Sequence, residues 1–526
     1  MRRLAPRSAA LSIARGVFQG AFFGVIAGTT LAGPLGLPAW LVPPLAPVGA
    51  LAIGGFAVAR YYRFRYEIEG DTLRVESGVF ARQSREIPLG RIQNVDSTQG
   101  VLNRLLGLSV VAIETAGGSA TEATLDAVDP AEADRLRRLV QRYGERDEAT
   151  ESESDIGEAD ERLAAGEDSE SGEHRERSAE QLFAFGLRDL LTYALVSVRP
   201  AALVFLVAGL PLGINVVRRV VRFNLGLLGS DAPGAVAALD TLGPPRLVGL
   251  AALLALQITV AAVGVSIVLT IVEYHGFTLV REGDDLRYQR GLVRRYSGTI
   301  PLSKVQTVTV RENVLMRRFG FATLVVETAG YSGGSQQSTQ GVAVPMAPRE
   351  TVYDLARDIE PFETVSLQRP PKRARRRYAA RFAIIAGVLT AAAYAVDTFL
   401  LSSGYWWLAL GLFAVVPPAA HLRWRHRGYA LAADVFVTRS GFWRRTTSVV
   451  PYYRIQTVFV GRSPFQRRRR LASLTADTAS SASLLGGSAT AHDIDEEAAS
   501  ELRDTLRERL YSDLLARKSD SASAHE

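Results

Sequence analysis

The chain has 526 residues, 47% of them apolar and 22% charged, with a formal net charge of +7 and no cysteine. Its mean hydropathy of +0.08 is high for so charged a chain, so apolar and charged blocks must be kept apart along it. The missing cysteine excludes a disulfide framework and thiol chemistry. The cations are almost all Arg in an Ala- and Arg-rich composition, so +7 is not read as a nucleic-acid signal. Length predicts about three to four domains.

Phe18 to Leu35 and Ala39 to Ala59 are apolar runs close to the ~20 residues that cross a bilayer. Met1-Arg2-Arg3 resembles the start of a secretory signal, but Arg15 interrupts it and a second apolar block follows at once, which predicts a membrane hairpin over 1–59. Arg60, Arg63 and Arg65 follow among aromatic residues, as at a cytoplasmic interface.

Residues 60–144 read as a β-rich module. Tyr66 to Glu69 and Leu73 to Glu76 alternate, Gly70-Asp71 and Ser77-Gly78 are turn signals, and further strands are predicted over 79–88, 92–97, 109–115 and 120–127. Asp129-Pro130 then opens a helix whose Leu136, Leu139, Val140 and Tyr143 share one face. Residues 145–185 are acidic and poor in large apolar groups, and are expected to be a disordered linker. A second hairpin is expected over 186–272, from the runs 190–214 and 247–272. Arg199-Pro200 interrupts the first run, and Arg218, Arg219 and Arg222 between the two suggest an interfacial amphipathic helix. A second module (273–362), a basic linker (363–381), a third hairpin (382–422), a third module (423–511) and a tail (512–526) complete the plan. Basic residues on both flanks of the third hairpin, Lys372 to Arg381 and Arg423 to Arg427, place its ends in the cytoplasm. Six spans would put both termini and all three modules there, in a multi-pass plasma-membrane protein.

The modules are copies of one another. Gly leads Pro by ten positions three times: Gly78 and Pro88, Gly291 and Pro301, Gly441 and Pro451. A basic residue, a β-branched residue and Gln follow: Arg91 and Gln93, Lys304 and Gln306, Arg454 and Gln456. From each Gln an acid stands 21 positions on, before Thr-Ala: Glu114, Glu327 and Asp477. Two spacings held in three places define an internal repeat.

This signature, Gly-x9-[Ile/Val]-Pro-x2-[Arg/Lys]-[Ile/Val]-Gln with its later Glu-Thr, resembles the bacterial pleckstrin-homology-like domains of the YdbS/YdbT membrane protein family. The resemblance covers the three modules, with the third the most eroded. It implies three bent β-barrels, each closed by a C-terminal helix, beside six transmembrane helices: membrane α-helical hairpins plus α+β or all-β modules. It carries no enzymatic activity.

The repeated positions read as structural before functional, because a strand Pro marks an edge or bulge; Glu114, Glu327 and Asp477 invite pairing with Arg91, Lys304 and Arg454. His421 and His426 stand five apart, not the four that would share a helix face, so no metal site is expected. No cofactor and no catalytic set emerges. Asp397, an acid inside an apolar run near its outer end, is either functional or simply in reach of water. Arg467, Arg468, Arg469 and Arg470 lie inside a module and far from any span in sequence; they are the candidates for headgroup contact. The expected function is a non-catalytic scaffold at the membrane face, bound to the lipid bilayer and engaging anionic headgroups or membrane-associated proteins, in envelope homeostasis or stress resistance, with no nucleic acid. The alternative is a transporter or export-accessory protein, for which Asp397, Arg199 and Gln257 are a thin lining.

Overall fold

The computed structural model describes residues 6–32, 40, 42–79, 81–115, 123–140, 180–197, 214–227, 244–328, 341–401, 404–479 and 489–523. The linker expected over 145–185 lies outside these residues up to position 179, as do Arg199-Pro200.

Helices α1 (Pro6–Ala32) and α2 (Val42–Arg63) form the first hairpin. They touch through glycine: a Cβ on Gly20 would lie 2.1 Å from the carbonyl oxygen of Gly49. In lipid, where apolar side chains gain nothing by leaving the bilayer, such small residues permit the backbone contact that holds helices together.

The first module follows. Strands β1 (Arg65–Glu69), β2 (Thr72–Ser77) and β3 (Gln83–Pro88) form an antiparallel meander. A 3-10 turn, Leu89–Arg91, leads into β4 (Ile92–Gln99), and short α3 (Val101–Leu105) connects to β5 (Ser109–Thr115) and β6 (Ala123–Val128). Helix α4 (130–140) closes the module. Leu73 and Ile87 from the first sheet, Ile92, Val111 and Leu125 from the second and Leu136 from α4 are buried in one core. After β7 (Glu180–Ala184) come α5 (Leu187–Val196), α6 (Ile214–Leu227) and the long apolar α7 (Pro244–Tyr274).

The second module repeats the order. It has β8 (Thr278–Glu282), β9 (Asp285–Arg290) and β10 (Arg295–Pro301), the 3-10 turn Leu302–Lys304, β11 (Val305–Asn313), α8 (Val314–Phe319), β12 (Phe321–Thr328), β13 (Val342–Pro348) and α9 (Arg349–Ile359). Helix α10 (Lys372–Val396) begins the third hairpin and α11 (Leu412–Arg425) ends it. The third module is β14 (Gly428–Leu431), β15 (Val435–Ser440), β16 (Arg444–Pro451), the 3-10 turn Tyr452–Arg454, β17 (Ile455–Gly461), α12 (Pro464–Arg467), β18 (Leu471–Thr478), β19 (Ala489–Asp495) and α13 (Glu496–Ser523). Its core again joins both sheets to the closing helix through Phe436, Tyr452, Leu474, Ala491 and Leu506.

The repeated Gly has a backbone cause. Gly78, Gly291 and Gly441 sit at φ +104°, +105° and +88°. A Cβ there would stand 1.8–1.9 Å from the carbonyl oxygen three residues on. No other residue tolerates that turn. The repeated Pro ends the third strand of each copy, directly before the 3-10 turn whose last residue is Arg91, Lys304 or Arg454.

Closed barrels and six spans are not shown among the described residues; what is shown is antiparallel sheets and four long apolar helices. The sheet orders are β1-β2-β3, β6-β5-β4-β10-β9-β8-β7, β13-β12-β11-β16-β15-β14 and β17-β18-β19. The fourth strand of one copy therefore pairs antiparallel with the third strand of the next, at β4–β10 and at β11–β16. One joint lies in each of the chain's two compact units: Phe277–Lys304 belongs with Met1–Leu182, and Val305–Thr328 with Phe183–Gly276 and Thr339–Glu526. Further, among the described residues four helices are long and apolar enough to cross a membrane, at Arg7–Thr29, Val42–Arg63, Gly249–Tyr274 and Lys372–Phe399. The return expected over 405–420 is broken into a 3-10 turn, Trp406–Gly411, and the 14-residue α11, which contains Pro417 and Pro418. Each Pro removes an i to i−4 hydrogen bond. The first arm of the second hairpin is described only as far as Ser197.

Candidate functional site

Asp493 is the residue around which the third module meets its hairpin. It lies on β19 and is 1% exposed, with φ at +56°, a left-handed conformation that Asp adopts more readily than most residues. Its carboxylate accepts hydrogen bonds from Arg377, from the Tyr378 hydroxyl at 2.6 Å, from Arg427 Nη1 at 2.8 Å and from Gln466 Nε2 at 2.8 Å. Arg427 also donates to the Tyr378 oxygen at 2.8 Å. Its guanidinium carbon and that of Arg423 stand 4.9 and 5.6 Å from the Tyr378 ring centre, the geometry of a cation–π contact. By position alone, Asp493 and Asp495 could both cap the last helix, which begins at Glu496. Asp495 does accept from the Glu497 amide at 3.3 Å; Asp493 is instead turned into this cluster.

The cluster lines a cavity of about 270 Å³ bounded by Arg377, Tyr378, Arg381, Arg423, Arg427, Gln466, Ser473, His492 and Asp493. Four guanidinium groups face one carboxylate, four less one, for a formal +3. Burial, and next the neighbouring Arg427, push His492 down to about 4 from an ordinary 6.5, so it adds no charge at neutral pH. Being neutral when folded and ionisable when unfolded, His492 supports the fold fully above about pH 6.5. That support drains as pH falls toward 4. Thermal unfolding of the detergent-solubilised chain should therefore shift down between pH 7 and 4.5, and less so in His492→Gln.

The chemistry of the cavity is that of an anion site. Arg presents a planar fork of donors matched to phosphate oxygens. The cations stand on the second and third turns of α10, in the last turn of α11 and just past it, where an apolar span enters a polar module. Basic pockets between helices at that level suit lipid headgroups.

The other sequence candidates fall as follows. Arg467 to Arg470 are not remote from a span: Arg373 on the first turn of α10 donates to the Arg470 carbonyl at 2.9 Å, so the run sits beside the hairpin entrance. Glu327 lies 3.6 Å from Arg311 on the adjacent strand; burial raises its carboxyl above the ordinary range and Arg311 opposes this. Lys304 reaches the Ile92 carbonyl at 3.4 Å, and the Arg454 guanidinium lies over the Tyr453 ring at 4.7 Å. Gln306 is buried, while Gln456 is exposed. Arg91 is exposed, and the side chains of Gln93 and Glu114 fall outside the described residues. Asp397 is 7% exposed rather than open to water, and accepts from the Gly404 amide at 2.9 Å, closing the turn after α10. Gln257 exchanges two hydrogen bonds, at 2.8 and 3.0 Å, with Asn224 of α6. This pairing fixes α6 against α7.

The Bacterial PH domain family model matches this chain three times, over residues 21–144, 232–362 and 381–510. The chain is 26% identical over 466 residues to the UPF0699 transmembrane protein YdbT of Bacillus subtilis (strain 168), covering 85% of this chain and 87% of that protein. It is 36% identical over 83 residues to the UPF0699 transmembrane protein YdbS of the same organism, covering 16% of this chain and 50% of that protein. No solved structure matches it. The chain belongs to the Bacterial PH domain family and is a transmembrane member that carries the domain in three copies.

Proposed function

We propose that this protein is a non-catalytic scaffold at the cytoplasmic membrane face, and that its third module holds the phosphate of an anionic lipid headgroup in the Asp493 cavity. The observation that carries this reading is the formal +3 of that cavity at the foot of a membrane hairpin. Asp493 preorganises Arg377 and Arg427, while Arg381 and Arg423 bond to no acid there and supply the free charge. In every copy the connection after the fourth strand exposes apolar side chains beside cations: Leu105 next to Arg104, Phe319 next to Arg318, and Phe465 near Arg467. Such a surface suits the bilayer interface.

The same reading takes the hairpin plan as six crossings with the modules on one side. The broken segment 406–425, six residues of 3-10 and fourteen of α-helix, spans about 33 Å at their usual rises, close to a hydrocarbon core. Gln257 pairs with Asn224, and Thr259, Thr270 and Thr390 bond carbonyls of their own helices, which favours anchoring over conduction.

Short-chain phosphatidylglycerol, phosphatidylcholine and inorganic phosphate titrated separately into the detergent-solubilised chain test this by native mass spectrometry. Phosphatidylglycerol should bind best. Arg381→Ala with Arg423→Ala should weaken it by about 30-fold, from roughly 1 kcal/mol per cation at an anionic surface. Equal binding by that variant and the parent would end the reading.

A further inference from the structure

The two joints between copies share one register. Counting from the signature Gly on the third strand and from the signature Gln on the fourth, Arg295 at Gly+4 stands opposite Gln99 at Gln+6, and Arg445 at Gly+4 stands opposite Glu312 at Gln+6. The contact position inside each joint is also shared. Thr309 and Ser448 touch at 3.2 Å at Gln+3 and Gly+7; at the same two places in the first joint, Asp96 fills the space a Gly298 side chain would need. The rule that joins copies is therefore local to two strands and has been used twice.

It leaves two strand edges unused among the described strands: β3 of the first module and β17 of the third, each last in its sheet. They differ. β3 bears Arg85 and Glu86, both exposed, charges of the kind that blunt an edge. β17 reads Ile-Gln-Thr-Val-Phe-Val-Gly with no charge, and Phe459 at Gln+3 is 55% exposed. At Gln+6 the second joint carries Glu312, which meets Arg445 across the joint and Arg349 at the start of α9; the third module carries Arg462, which meets Glu496 at the start of α13 and has no strand opposite it among the described residues.

We propose that the β17 edge is a docking edge for the third strand of a PH-like module on another polypeptide, paired in the register of the internal joints, with an acid opposite Arg462. A second copy of this chain does not fit, because its β3 would bring Arg82, at Gly+4, directly opposite Arg462. Like charges across a ladder pair repel. Arg462 thus both selects the partner and stops the chain from polymerising head to tail.

The absence of native cysteine makes a disulfide test clean. Phe459→Cys and Arg85→Cys, at Gln+3 and Gly+7, would face each other between copies; Thr309→Cys with Ser448→Cys, at the same two places inside one chain, reports that the protein has folded. The probe for the partner is the chain's own β3 carrying Arg82→Glu. In membranes under mild oxidation, the Phe459→Cys/Arg85→Cys chain should stay uncrosslinked. Adding Arg82→Glu should raise intermolecular disulfide at least about tenfold, and adding Arg462→Glu to that should abolish the gain. No gain with Arg82→Glu, equal crosslinking without it, or a gain that survives Arg462→Glu would each overturn the proposal.

Discussion

Asp493→Ala should destabilise the third module by about 3–5 kcal/mol, the usual cost of stripping the partner from buried charge. Asp493 is 1% exposed and answers four donors at once, from Arg377, Tyr378, Arg427 and Gln466. Without it Arg427, with its side chain 10% exposed, keeps a desolvated charge whose nearest company is the other arginines of the cavity. Asp493→Asn removes the charge but keeps one acceptor oxygen, enough for two of the four donors, and a residue that tolerates positive φ, so it should lose less. Proteolysis of the solubilised chain during a thermal ramp, read by fragments that begin in the third module, measures both. A loss below about 1 kcal/mol in the Ala variant would mean that solvent already screens the arginines from one another, and that Asp493 does not organise the cavity.

The parts of this fold that were legible in the sequence are those whose causes are local. The left-handed turn at Gly78, Gly291 and Gly441 needs glycine whatever surrounds it, so it stayed fixed in all three copies and the repeat could be found by spacing alone. Periodicity likewise marked the closing helices, since Leu502 and Leu506 must face the same core. The cavity was not legible, because its members are far apart along the chain: Arg377 lies 116 positions from Asp493 and Arg427 lies 66. The nearest signal was Asp493 itself, an acid just before a helix, and that pattern reads equally well as a cap. The positive φ that turns its carboxylate inward is a tertiary effect. The joints were hidden for a similar reason. A strand written Val-Thr-Val-Arg-Glu looks the same whether its free edge meets water or another module; only Glu312 in an otherwise ordinary strand hinted that something would cover it. In the third hairpin hydropathy marked the apolar run but not how it is built, because it is blind to the helix-breaking pair Pro417-Pro418.

The second large effect is expected at the joint between the second and third modules. Glu312 has no exposed side-chain area and takes two hydrogen bonds from Arg445, both at 2.7 Å, with Arg349 a further 3.7 Å away. This bidentate geometry is the strongest form of the pair. Glu312→Ala would strand Arg445, 13% exposed, between β11 and β16, where its neighbours Thr309, Thr447 and Ser448 are buried as well. About 3–5 kcal/mol should be lost again, but from the pairing of the two modules rather than from either core. Hydrogen exchange distinguishes the two outcomes: amides of β11 and β16 should lose protection together while those of β18 and β19 keep theirs. Replacing both partners, Glu312→Leu with Arg445→Met, should recover most of the loss, since a buried ion pair exchanged for well-packed apolar groups is often close to neutral. Recovery would show that the charges set which strands meet more than how tightly they hold. That is the property the docking edge requires, because β17 differs from β11 at this same place, with Arg462 where Glu312 stands.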